Sequence, residues 1–142
     1  MFVFNGYLTK SGSMWEIGLN DLAIFTQGKT KDDALFMLQE AINELADLAG
    51  VSKKQAKATI AATAKGTVEV SFDNLPAIFA FVLDRIKVAR GMSIADLCRA
   101  VSKNSRTTIA RYLSGASVPT VPALALVLAA LGYRLRVERT IS

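Results

Sequence analysis

Residues 93–131 read SIADLCRAVSKNSRTTIARYLSGASVPTVPALALVLAAL. This stretch decides the second half of the chain, because it reads as three short helices with two tight joints. Ser93 followed by Asp96 fits a capping box ahead of an apolar-periodic run. Ile94, Leu97, Cys98 and Val101 then fall on one helical face. Residues 102–105 break the period, and Asn104 or Ser105 can cap the next helix. That helix, Arg106 to Leu113, turns Ile109, Tyr112 and Leu113 inward and keeps Arg106, Thr107, Ala110 and Arg111 on the other face. Ser114-Gly115 stops it, since glycine accepts the left-handed conformation that ends helices. A joint of about four residues before an Arg/Thr-faced helix is the pattern of a helix-turn-helix.

Such a helix is slim enough to enter the major groove of DNA. Arg106 and Arg111 can each pair with a guanine through two hydrogen bonds. Thr107 and Thr108 can bond a base or phosphate, or set a methyl against thymine. Lys103 and Ser105 complete the candidate DNA-binding set. Against this stands a small helical domain whose Arg and Thr are merely solvated. The spacing favours DNA binding.

The same stretch, from Leu97-Cys98 through Ile109, Tyr112-Leu113-Ser114-Gly115 and Pro119-Thr120 to Leu131-Gly132, resembles the Cro/repressor-type helix-turn-helix. It is similar above all to the antidote proteins of toxin–antitoxin modules. The resemblance implies base contacts from the first, second and sixth residues of the recognition helix, which here are Arg106, Thr107 and Arg111.

Working outward, Met1 to Lys10 is a strand pattern with a bulge expected at Gly6. Lys10 to Ser13 is a turn. Residues 13–19 alternate with Trp15, Ile17 and Leu19 on one face, so the two strands should form an antiparallel hairpin. Ala23 to Gln27 is a third strand. Thr30 caps a long helix through Asp33, with Leu35, Leu38, Ile42, Leu45 and Ala49 as its inward stripe and Gly50 as its stop. Ser52 can cap a weaker second helix running to Ala64, with Lys53, Lys54 and Lys57 on its face. Thr67 to Phe72 alternates as a fourth strand. Asn74-Leu75-Pro76 is the linker, and a helix from Pro76 to Arg90 holds Ile78, Phe79, Val82, Leu83 and Ile86 inward and Arg85, Lys87 and Arg90 outward. After Gly132, residues 133–139 alternate as a strand without a partner in its own domain. Its exposed edge invites pairing with a second chain and hence a homodimer through the C-terminal domain. The expected fold is α+β: a β-β-β-α-β domain over residues 1–74, then an all-α helix-turn-helix domain with a C-terminal strand over residues 75–142.

The totals narrow the function. With 142 residues, 51% hydrophobic and 20% charged, the chain is neither disordered nor fibrous. One cysteine, Cys98, allows no internal disulfide and suits a reducing cytoplasm. The absence of histidine excludes histidine general-base chemistry, Ser/His and Cys/His dyads, and ordinary zinc sites. No cofactor is expected. Phe2 to Leu8 is too short and lacks the basic start of a signal peptide, and Val121 to Leu131 is too short to span a membrane. Residues 1–74 hold 7 Lys/Arg against 9 Asp/Glu, and residues 75–142 hold 10 against 3. Only the second half is therefore suited to a polyanion.

Residues 21–42, DLAIFTQGKTKDDALFMLQEAI, with Trp15-Glu16-Ile17-Gly18-Leu19 before them, resemble the HicB antitoxin signature. That family implies a degenerate RNase H-like first domain that neutralises a small RNA-cleaving toxin of the HicA type, often followed by a DNA-binding domain. The expected function is an antitoxin that also represses its own operon. The alternative is a stand-alone phage- or plasmid-type repressor whose first domain senses a ligand or dimerises. A working nuclease would need converging carboxylates for two metals. The candidates Glu16, Asp21, Glu69 and Asp73 split into two that face solvent and two at strand ends, so a non-catalytic domain is expected.

Overall fold

A computed structural model of the chain describes residues 2–63, 65–101 and 106–136, with Leu75 and Arg106 described by their backbone alone. The elements are β1 (Phe2–Ser11), β2 (Met14–Leu19), a 3-10 turn (Asn20–Leu22), β3 (Ile24–Gly28), α1 (Lys31–Leu48), β4 (Ala58–Ala62), β5 (Thr67–Phe72), α2 (Leu75–Ala89), α3 (Ile94–Val101), α4 (Arg106–Ser114) and α5 (Val121–Ala130). They form two compact units, Met1–Gly91 and Met92–Ser142.

The first unit is a five-stranded sheet in the order β3-β2-β1-β5-β4, with every pairing antiparallel. Alternation sends Phe2, Phe4, Leu8, Ile17, Leu19, Val68, Val70 and Phe72 to one buried face. On the other face Asn5, Thr9, Glu16 and Glu69 are exposed. The β1–β2 hairpin closes through Gly12 at φ 62, a conformation glycine adopts without strain. The bulge expected at Gly6 is absent, and the register with β5 runs unbroken through it. Glycine stands there because a Cβ would run into the Gly18 carbonyl oxygen.

Thr30 caps α1 as its spacing requires, its hydroxyl accepting the Asp33 N–H at 3.0 Å. The buried stripe is Ala34, Leu38, Ile42 and Ala46. Of the expected stripe, Leu35 and Leu45 are half-buried and Ala49 is exposed. Ala34 stands where α1 lies against β3 at Gly28. At Gly28 a Cβ would collide with the Ala34 backbone.

The second helix expected from Ser52 to Ala64 does not form. Ser52 does cap a turn, trading hydrogen bonds with Gln55 at 3.1 and 3.2 Å. From Ala58 the chain becomes β4 instead, paired with β5 from Ala58↔Phe72 to Ala62↔Val68. The Gln39 side chain aids the switch by accepting the Ala58 N–H at 3.0 Å and donating to the Ala56 carbonyl at 3.4 Å. Pairing along a whole strand outweighs the helix preference of a few alanines.

Helix α2 lies in the first unit, so the division falls at residue 91 and not at residue 74. Its Ile78, Phe79, Phe81, Val82, Leu83 and Ile86 are all at most 2% exposed. Phe79 stacks on Phe2 at 6.3 Å. Arg85, expected on the solvent side, is half-buried. It donates through Nε to the Leu22 carbonyl at 2.9 Å and through Nη2 to the Ala23 carbonyl at 2.7 Å. Ala23 ends the 3-10 turn in the left-handed region at φ 51. The turn's carbonyls thus find their donor on α2.

The second unit contains α3, α4 and α5. The strand expected from residue 133 is not formed over residues 133–136, which have no regular structure, and the rest of that stretch lies outside the described residues. Among the described residues no helix is long and apolar enough to cross a membrane.

Replacing Arg85 by Ala leaves two carbonyls without their charged donor. The first unit should lose about 1.5–3 kcal/mol, read as a lower urea midpoint with an unchanged slope.

Candidate nucleic-acid interface

The second unit is built around two helix starts and one helix stop. At the start of α3 the Ser93 N–H donates to Asp96 Oδ2 at 2.9 Å, and the Asp96 N–H donates to Ser93 Oγ at 3.0 Å. This reciprocal capping box satisfies two backbone donors that the helix leaves open. Asp96 also pairs with the Arg99 guanidinium one turn on. Leu97 and Val101 are buried, and Ile94 and Cys98 half-buried, so the expected face is the one that packs against α4 and α5.

Helix α4 buries Ile109 completely and Tyr112 nearly so. Thr107 and Arg111, four residues apart and both exposed, share its outward side. Thr108 and Ala110 are half-buried beside them. Arg106 is the first residue of the helix, and its first turn has no acidic residue. A cation at the positive end of a helix opposes the macrodipole, and an incoming phosphate would relieve that conflict. Lys103 and Ser105 lie outside the described residues. Of the six candidate DNA contacts, α4 thus carries four, with Thr107 and Arg111 forming its open surface.

The stop is equally defined. Gly115 at φ 77 ends α4, and the Arg111 carbonyl accepts the Ser114 hydroxyl at 3.1 Å and the Ser117 N–H at 3.3 Å. The last turn, which carries Arg111, is held from both sides. Thr120 then caps α5, its hydroxyl accepting the Ala123 N–H at 3.4 Å. Leu124, Val127, Leu128 and Leu131 close the small core.

Arg99 is an exposed cation on α3 that the sequence reading passed over. Its signal was the three-residue spacing from Asp96, which also holds it. Among the described residues no cluster of His, Cys, Asp and Glu could hold a metal ion. Residues 1–91 contain ten Lys/Arg and ten Asp/Glu, whereas residues 92–142 contain seven and two. All of the net charge of +5 therefore belongs to the unit that carries α4.

The Ser93 N–H and hydroxyl, with the Arg99 charge, hold the Asp96 carboxyl below its ordinary range. A depressed carboxyl stabilises the fold above its unfolded pKa, and that contribution is lost as pH falls through the folded value. The second unit should therefore lose helical signal on acidification below about pH 4. Asp96→Asn should flatten this part of the profile when circular dichroism is followed against pH.

Residues 83–137 match a protein-family model described as Helix-turn-helix. The match takes in the C-terminal part of α2 and all of α3, α4 and α5. No curated protein matches the chain. The order of the helices, the exposed Thr107–Arg111 side of α4 and the family match agree, and the chain carries a DNA-binding helix-turn-helix domain of the Cro/repressor type at residues 83–137.

Proposed function

We propose that this protein is an antitoxin that binds a HicA-type RNA-cleaving toxin through its first unit and represses its own operon through α4. The observation that carries the DNA-binding half is the exposed Thr107–Arg111 side of a helix whose end is fixed at Gly115 and the Arg111 carbonyl. The antitoxin half rests on the resemblance of residues 15–42, and that stretch covers β2, the 3-10 turn, β3 and the capped start of α1. A stand-alone repressor would use α4 in the same way. Co-expression with a HicA-type toxin separates the two, since growth is restored only by an antitoxin.

In this reading the first unit binds and does not cleave. Glu16 and Glu69 share the open face of the sheet, but β1 runs between their strands. Their register partners on β1 are Thr9 and Asn5, which puts their Cα atoms roughly 16 Å apart by ordinary strand spacing and rise. A two-metal site needs its ions within about 4 Å of one another. Asp21 lies in the 3-10 turn and Asp73 just beyond β5.

The repressor acts as a homodimer, and α5 supplies its interface. From Ala116 to Tyr133 the chain contains no charged residue. Leu124, Val127 and Leu128 face the core, yet Leu126 on the opposite side is 48% exposed and Val121 70%. A helix apolar all round is covered on both sides. An uncharged face is self-complementary, and a second copy is what a palindromic operator demands.

Two measurements test these assignments. Arg111→Ala and Arg106→Ala should each cost about 1–3 kcal/mol at the cognate operator and relax base preference at one position, in titrations at fixed salt. Unchanged binding to every sequence would remove α4 from the groove. Leu126→Glu should shift the free protein to monomer in sedimentation at micromolar concentration. It should weaken a two-half-site operator far more than a single half-site, and an undiminished dimer would place the interface elsewhere.

A further inference from the structure

The outward side of α1 is an apolar surface without an occupant among the described residues. Phe36 is 64% exposed, Met37 39% and Leu48 85%. At 100° per residue these three and the carboxylates Glu40, Glu44 and Asp47 fall within about a third of the helix circumference. The side that packs on the sheet, Ala34, Leu38, Ile42 and Ala46, is the opposite one.

The charges on this surface are unusual for a helix that has only to be stable. No Lys or Arg occurs from Asp32 to Ser52, so none of its carboxylates has a cation three or four residues away on α1. Lys31 itself lies over the Trp15 ring at 4.9 Å. Neither ion pair found among the described residues involves α1. Glu44 and Asp47 stand near the negative end of the helix dipole, where an acid destabilises and a base would help. A basic protein has thus kept an unpaired acidic rim around exposed apolar side chains.

We propose that this face of α1 holds the basic, RNA-binding surface of an RNA-cleaving partner. The inference rests on the antitoxin reading and names the surface that reading lacks. Charge complementarity selects the occupant. A second copy of α1 would set carboxylate against carboxylate, and DNA would be repelled. A protein surface that binds RNA offers Lys and Arg interleaved with apolar groups, and both halves of that pattern find their counterpart here. The row of carboxylates on a rigid helix occupies the place of the RNA backbone, so a partner held in this way cannot engage its substrate.

The test uses the full chain co-expressed with a HicA-type toxin as the probe. The parent should restore growth and co-purify with the toxin, and heparin should displace it. Glu40→Lys with Glu44→Lys, and separately Phe36→Ser, should weaken the complex at least tenfold and abolish rescue. Their thermal midpoint should be no lower than the parent's and operator binding should stay at the parental value, because Phe36 and Glu44 are exposed and a base near the negative end of α1 helps. Glu16→Lys with Glu69→Lys makes the same change of net charge on the open sheet face and should rescue like the parent. Rescue by the α1 variants would overturn the proposal, as would loss of rescue by the sheet pair. A parent that neither rescues nor co-purifies would instead bring down the antitoxin reading itself.

Discussion

A five-stranded sheet with one apolar face must have that face covered, and the architecture of the first unit follows from this. Helix α1 packs over β2, β3 and β4. The Phe2 region is left to α2, whose Phe79 stacks on Phe2 while Arg85 ties the helix to the 3-10 turn. Two carbonyls turned outward by a left-handed alanine would go unsatisfied without that guanidinium. The division between the units therefore follows α2 and not the loop before it.

This explains which parts of the structure were legible beforehand. Strands β2 and β5 were readable because each alternates and the sheet buries one face only, and β1 because its residues are aromatic and branched. The caps at Thr30 and Ser93 were readable because capping is local, set by residues three apart. Long-range pairing was not. The stretch from Ser52 to Ala64 has a local helix start, and no window of that length reveals that β5 has a free edge waiting. The role of Arg85 was hidden for the same reason, since its two acceptors lie more than sixty residues earlier. At the candidate site, the outward position of Thr107 and Arg111 followed from periodicity once Ile109 and Tyr112 were placed inside. Arg99 escaped because its spacing to Asp96 reads as an ordinary surface pair.

Helix α2 answers two demands at once. Its apolar residues serve the core of the first unit, while the helix-turn-helix match begins within it at residue 83. A boundary drawn after residue 74, at the Asn74-Leu75-Pro76 linker, keeps α2 whole for the second demand and fails the first. Truncation inside the helix would strip the cover from Phe2 and remove part of the matched domain together.

The distribution of charge argues for a division of labour along the chain. The second unit holds the whole net positive charge, yet α5 has none of it. Charged phosphate contacts must then come from outside α5, which contributes packing alone. A short helix with a few base contacts, each discriminating by about 1–3 kcal/mol, reaches only the lower part of the roughly 4–10 kcal/mol that separates operator from bulk DNA unless every contact is at its best. Joining two such helices through an uncharged surface, as proposed, would raise that discrimination without adding cations, which would tighten non-specific binding equally. An apolar α5 beside a sparsely charged α4 is thus what a site-selective DNA-binding protein of this size requires.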